Sequence, residues 1–174
     1  MTSTSGRASV VRPAVPGDLH AVAACHLRCW HETYAPALPP RALDGETVAA
    51  REAMWRGVLG RHPPWVAVAG ADVVGFSGTG SADADLPGSV QLATCYLLAA
   101  HHGSGLGQRL LDAAVGSAPA HLWVAEHNPR ARAFYRRNGF QPDGARDVLT
   151  TWRLPIVRMV RPAVSPAGGS RPRR

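Results

Sequence analysis

The chain contains no lysine: all 19 of its basic residues are arginine. With abundant alanine, glycine and proline, this marks GC-rich coding rather than a function. No apolar run approaches the roughly 20 residues that a bilayer-spanning helix needs. The segment Met1 to Ser9 lacks the apolar middle of a secretory signal. A cytoplasmic protein without a membrane partner is the expectation. Cysteine is scarce. Cys25, Cys29 and Cys95 are odd in number and follow no signal segment, which argues against a disulfide framework. Cys25 and Cys29 lie four apart with His26 close by, but no second ligand pair follows at zinc spacing. No metal is expected, and both read as small core residues.

The 174 residues suit one domain with one core. That domain is expected over residues 8–162. Residues 1–7 and the basic Gly/Ser/Pro tail 163–174 are expected to be disordered. A net charge of +7 suits an anionic ligand. The arginines are scattered and no recognition motif accompanies them, so nucleic acid is not the expected partner.

Periodicity supplies the elements. Ala8 to Arg12 reads as a strand. Asp18 is placed to cap a helix whose apolar positions Leu19, Val22, Ala23, His26, Leu27 and Trp30 follow three-and-four spacing. The prolines from Pro36 to Pro40 end it. Asp44 to Leu59 reads as a second helix with Val48, Trp55, Val58 and Leu59 on its apolar side. Trp65 to Ala69 and Val73 to Thr79 form a hairpin. Val90 to Leu98 is a strand leading into a glycine turn, and Leu106 to Val115 a helix. A strand at Leu122 to Ala125, a helix at Asn128 to Asn138 and strands near 140–145 and 156–161 complete the chain. The order β-α-α-β-β-β-α-β-α-β-β denotes an α/β chain with a mixed sheet.

The turn His102-Gly103-Ser104-Gly105-Leu106-Gly107-Gln108 is a generic anion site, a strand running through glycines into a helix start. A P-loop would need Gly-Lys-Ser/Thr, and a dinucleotide fingerprint would need glycine where Gln108 stands. Both motifs fail. About 20 residues on comes Asn128-Pro129-Arg130-Ala131-Arg132-Ala133-Phe134-Tyr135-Arg136-Arg137-Asn138-Gly139-Phe140.

This pair of motifs resembles the GNAT superfamily of acyl-CoA N-acyltransferases. That family carries (Arg/Gln)-x-x-Gly-x-(Gly/Ala), then Asn-x-x-Ala-x-x-Phe-Tyr-x-x-x-Gly-Phe. The second pattern is matched at Asn128, Ala131, Phe134, Tyr135, Gly139 and Phe140. The resemblance covers roughly residues 8 to 162. It implies an α+β domain whose mostly antiparallel mixed sheet has six or seven strands, flanked by about four helices and splayed in a V between its central strands. It also implies acetyl-CoA as acyl donor. Backbone N–H groups of His102 to Gln108 would hold the pyrophosphate. Tyr96, Leu97 and Leu98 would line the pantetheine arm, with an N–H near Leu97 as oxyanion donor. Asn128 would fix a pantetheine amide, Arg130 would reach the ribose phosphate, and Tyr135 would protonate the departing thiolate.

Two positions depart from the family. His102 stands for the arginine or glutamine. Gln91 occupies the register of the glutamate that serves many members as base, and glutamine cannot be one. Glu126 is a candidate replacement, as are His127, His31 and Glu32. Trp30, Tyr34 and the proline loop would line the acceptor side, suiting an organic amine with an apolar body. An N-acetyltransferase acting on a small amine, amino acid, antibiotic or peptide is therefore expected. The alternative is a non-catalytic acyl-CoA-binding or sensor domain. Homodimerisation is left open.

Overall fold

A computed structural model describes residues 9–39, 41–150 and 152–163. Of the segments expected to be disordered, 1–7 and 164–174 lie outside the described residues, as does Pro40. The period-two stretches are strands and the three-and-four stretches helices, in the expected order: β1 (Ser9–Pro13), α1 (Leu19–Tyr34), α2 (Val48–Leu59), β2 (Trp65–Ala69), β3 (Asp72–Gly80), β4 (Val90–Leu97), α3 (Leu106–Val115), β5 (Ala120–Ala125), α4 (Pro129–Arg137), β6 (Gln141–Leu149) and β7 (Leu154–Arg161).

Two helix starts differ from the expectation, each for a local reason. The second helix begins at Val48, not Asp44, because Thr47 is extended and its hydroxyl accepts the Ala50 N–H at 3.1 Å. Asp18 does not cap α1 with its side chain. Its carboxylate instead accepts the Val15 N–H at 2.8 Å and takes a two-pronged grip from Arg12 at 2.7 and 3.0 Å. That arrangement fastens the end of β1 to the start of α1, with the Arg12 bond holding the carboxyl below its ordinary range.

The seven strands form one sheet in the order β1-β2-β3-β4-β5-β7-β6. Every pairing is antiparallel except β4 with β5. That parallel pair holds together only at Val90–Ala120 and Gln91–His121. Beyond those residues the strands part, which makes the V. Strand alternation divides the side chains. Phe76 packs against His26 and Trp55, so α1 and α2 cover one face. Ser77 donates to the Leu110 carbonyl at 2.8 Å, so α3 covers the other. Cys25 and Cys29 are buried in the core, as read from the sequence.

The bottom of the V is clamped by charge. Arg158 of β7, only 8% exposed, bonds Asp83 at 3.1 Å, Asp85 at 2.7 and 2.8 Å, and Asp143 at 2.7 Å. Trp123 donates its indole N–H to Asp83 at 3.1 Å, and buried His121 meets Ser89 at 2.8 Å. Burial pulls the Asp83 carboxyl upward, but Arg158, Trp123 and His121 together outweigh it and hold it below the usual range. The loop 81–89 is thereby tied to β5, β6 and β7. Arg158→Leu is expected to lower the unfolding free energy by roughly 2–4 kcal/mol, since it strands the half-buried Asp83 and Asp143 carboxylates. Urea denaturation at pH 7 measures this. A loss below about 0.5 kcal/mol, the size of an ordinary surface change, would mean that the aspartates are solvated without it.

Candidate active site

At the open end of the V, β4 gives way to a turn in which Gly103 (φ 80°) and Gly105 (φ 82°) both take the left-handed conformation. Glycine adopts it without strain. A Cβ on either residue would meet nothing within 4 Å, so the approach to this backbone is open. Gly105 is the N-terminal cap of α3 and has no side chain to cap the helix; the Leu106 N–H reaches the Ser104 hydroxyl at 3.4 Å. The first helical bond goes from Arg109 to Gly105, which leaves the N–H groups of Gly107 and Gln108 pointing out of the helix start. The turn is braced from below: the Ser104 hydroxyl donates to the His101 carbonyl at 2.6 Å. His102 does not extend toward an anion. Its Nε2 donates back to the Leu97 carbonyl at 2.9 Å.

The edge of β4 follows from its ladder. The Leu98 N–H bonds the Val74 carbonyl of β3 at 2.9 Å. Antiparallel alternation then turns the N–H groups of Leu97 and Cys95 toward the V, where β5 no longer meets them. With the Leu97 carbonyl held by His102, the free backbone group at that point is a donor.

Tyr135 of α4 lies beneath the V, 8% exposed, packed on Phe134 and Phe140. Burial, followed by the nearby Cys95 and Tyr34, raises its phenol well above the ordinary value, so it stays protonated. Burial likewise pushes the neighbouring Cys95 thiol up to about 12. The motif helix is joined to the glycine turn: Gln108 donates to the Asn138 side chain at 2.7 Å.

On the opposite face lies a cavity of about 500 Å³. Its aromatic walls include Trp30, Tyr34, Trp55, Tyr96 and Trp123, and Arg51, His26 and His62 are its charged or titratable lining. Ala93 and Thr94 both line it although they are consecutive, because a bulge in β4 at Ala93 breaks the alternation. The Tyr34 and Tyr96 hydroxyls meet at 3.2 Å, and Trp152 packs edge-on against Trp30 at 4.2 Å. Trp55 donates its indole N–H to His26 Nδ1 at 3.0 Å, which places the histidine proton on Nε2. Burial, and secondarily Arg51, drives the His26 pKa down to about 3.

The structure places Trp30 and Tyr34 in one cavity and the glycine turn, Leu97 and Tyr135 at the V beside it; Tyr96, expected on the pantetheine arm, lines the cavity instead, and Leu98, expected there too, is buried with its N–H paired to Val74. Other expected residues lie elsewhere. Gln91 sits where β4 and β5 are still paired, beside Asp83 at 3.5 Å, below the V. Glu126 is bound by Arg146 at 2.6 Å and does not line the cavity. Asn128 spends its side-chain oxygen on the Ala131 N–H at 3.0 Å, capping α4. Arg130 is exposed at the first turn of α4. Glu32 accepts the Ala99 N–H at 2.8 Å, and His31 and His127 are exposed. Arg51, Trp123 and Trp152 were not foreseen. Arg51 had a visible signal: it stands on the same helical stripe as Val48 and Trp55. Trp152 had none, because only the sheet order brings it to α1.

Comparison with known proteins agrees with this geometry. A family model described as an acetyltransferase (GNAT) domain matches residues 60–142. A Mycobacterium tuberculosis protein named probable N-acetyltransferase is 33% identical over 150 residues, covering 82% of this chain and 84% of that one. The fold resembles YncA from Salmonella typhimurium, solved with its cofactor acetyl-CoA, with a TM-score of 0.67, 19% identity and coverage of 94% and 98% of the two chains. It also resembles the PaiA N-acetyltransferase from Thermoplasma acidophilum, solved with coenzyme A, with a TM-score of 0.66, 17% identity and coverage of 87% and 98%.

His26 links the site to stability. Its folded pKa of about 3 lies below the ordinary 6.5. Between those values the unfolded chain binds a proton that the folded chain refuses. The His26 contribution is therefore complete above pH 6.5 and is lost as pH falls. Unfolding free energy is expected to drop by about 2 kcal/mol from pH 7 to 4.5. His26→Gln, which can still accept the Trp55 N–H, should flatten that slope. An unchanged slope would assign it to other groups.

Proposed function

The chain belongs to the GNAT acetyltransferase family, and from that premise we infer that it moves the acetyl group of acetyl-CoA to a primary amine by direct attack in a ternary complex. The observation that carries this reading is the split between β4 and β5. It joins an uncapped, anion-ready helix start to an aromatic cavity through an edge that bears unpaired N–H groups.

The residues divide the work as follows. The backbone N–H groups of the turn and the start of α3 bind the pyrophosphate, helped by the positive end of the helix dipole. The free edge of β4 pairs with the amides of the pantetheine arm as an added strand would. The outward N–H of Leu97 hydrogen-bonds the thioester oxygen as negative charge develops on it. The cavity holds the amine so that its nitrogen reaches the acetyl carbon from the α1 side. As the new C–N bond forms and the C–S bond breaks, Tyr135 gives its proton to the sulfur and is reprotonated from solvent. The amine nitrogen sheds its proton to water. A relay through an acylated Cys95 is disfavoured, because a thiol raised to about 12 is not ionised at neutral pH.

One observation favours the non-catalytic alternative: among the described residues no carboxylate lines the cavity. His26 cannot substitute, since its Nδ1 is engaged and its Nε2 carries the proton. The catalytic reading meets this by requiring an amine that arrives unprotonated.

Two experiments follow. Tyr135→Phe is expected to lower kcat about a hundredfold while the acetyl-CoA dissociation constant, read by calorimetry, hardly moves. Unchanged turnover would remove Tyr135 from the acid role. Second, kcat/KM should rise with pH and level off at the acceptor's own pKa. A series of amines differing in basicity should shift that inflection in step. An inflection that ignores the amine would assign the base to a protein group such as His62, which also lines the cavity.

A further inference from the structure

Arg51 is a buried cation facing the acceptor cavity with less than a full set of partners. The residue is 8% exposed and lines the cavity. Its guanidinium carbon stacks over the Trp30 ring, 3.8 Å from the centroid. Among the described residues its one hydrogen bond is from Nη2 to Glu46 at 2.7 Å, and its Nε is buried with no acceptor. The Trp30 indole N–H is a second buried donor in the same wall. It faces the Tyr96 hydroxyl but does not reach hydrogen-bond geometry. Buried donors left unpaired are costly, and a guanidinium more so than an indole. The remaining walls are mainly aromatic and apolar; His26, His62, Thr79 and Thr94 are their polar members, and they contain no carboxylate.

We propose that the acceptor is an amine that also bears a carboxylate, and that Arg51 binds this carboxylate, with Trp30 as a second donor. The proposal rests on the acetyltransferase reading for its amine half only. The chemistry selects a monoanion. A planar guanidinium matches the two oxygens of a carboxylate, and Glu46 already balances part of its charge. A dianionic phosphate would find a single guanidinium whose charge Glu46 already shares. A neutral group would leave Nε unpaired. The Trp30 face beneath the guanidinium holds the fork flat toward the cavity. The volume of about 500 Å³ admits a body the size of an amino acid with an apolar side chain.

The test is binding, which does not depend on turnover. Tryptophan fluorescence of the full chain, with and without coenzyme A, is titrated with phenylalanine, leucine and 6-aminohexanoate and with the amide of each. At least one acid is expected to bind about tenfold or more tightly than its amide. Equal affinities throughout, or no binding by any acid, overturn the proposal. Arg51→Met should abolish the acid–amide difference. Because that variant can disturb the fold, Glu46→Gln serves beside it, freeing the guanidinium and tightening the acid but not the amide. A Glu46→Gln protein with unchanged acid affinity would make Arg51 merely a strut. Acetyl transfer to the amides at the rate of the acids would sink this proposal and leave the acetyltransferase reading standing. Acid-selective binding without acetyl transfer to any acceptor would do the reverse.

Discussion

The site depends on a hydrogen-bond ladder that stops. Strands β4 and β5 pair for two residues and then part, so a sheet that is continuous elsewhere has a gap at its centre. Unpaired strand edges inside a protein are normally a liability. Here the unpaired groups lie along the facing edges of β4 and β5, and one of them, the Leu97 carbonyl, is taken by His102. What remains on β4 beside the glycine turn are the N–H groups of Leu97 and Cys95 and the Cys95 carbonyl. The arginine–aspartate clamp below the gap and the Gln108–Asn138 bond beside it keep the two arms at a fixed opening.

The sheet also separates two chemistries. Donor-side groups lie on the α3 and α4 face and come from a nearly continuous stretch between Cys95 and Phe140. The cavity on the other face is assembled from α1, α2, β3, β4, β5 and the β6–β7 hairpin. Only β4 serves both, through alternation: Thr94 and Tyr96 look one way, and Cys95 and Leu97 the other. The bulge at Ala93 is the place where that alternation is broken, and there the cavity gains an extra wall residue.

That separation explains what the sequence disclosed. Donor-side features are local, because glycines at a strand–helix junction and an asparagine before a helix act over a few residues. The glycine turn, Tyr135 and the element order were therefore legible. Trp30 was legible as the end of a helical stripe, and its place with Tyr34 beside the cavity came from the family resemblance. The acceptor side is a tertiary product. Gln91 was assigned by register alone, and register did not reveal that the V opens above it. Glu126 was assigned by its place at a strand end, and only the fold shows Arg146 beside it. Arg51 was given no role although it shares a helical stripe with Val48 and Trp55, and its stacking on Trp30 is a tertiary contact.

The absence of lysine acquires a meaning at this point. Apart from the histidines, every basic side chain is a guanidinium, whose basicity keeps it charged and non-nucleophilic at any physiological pH. An acetyltransferase is itself exposed to its acyl donor throughout its lifetime. This one presents no ε-amine for that donor to acylate. Its side-chain charge is thus proof against its own chemistry, and the +7 balance would persist in a large excess of acyl donor.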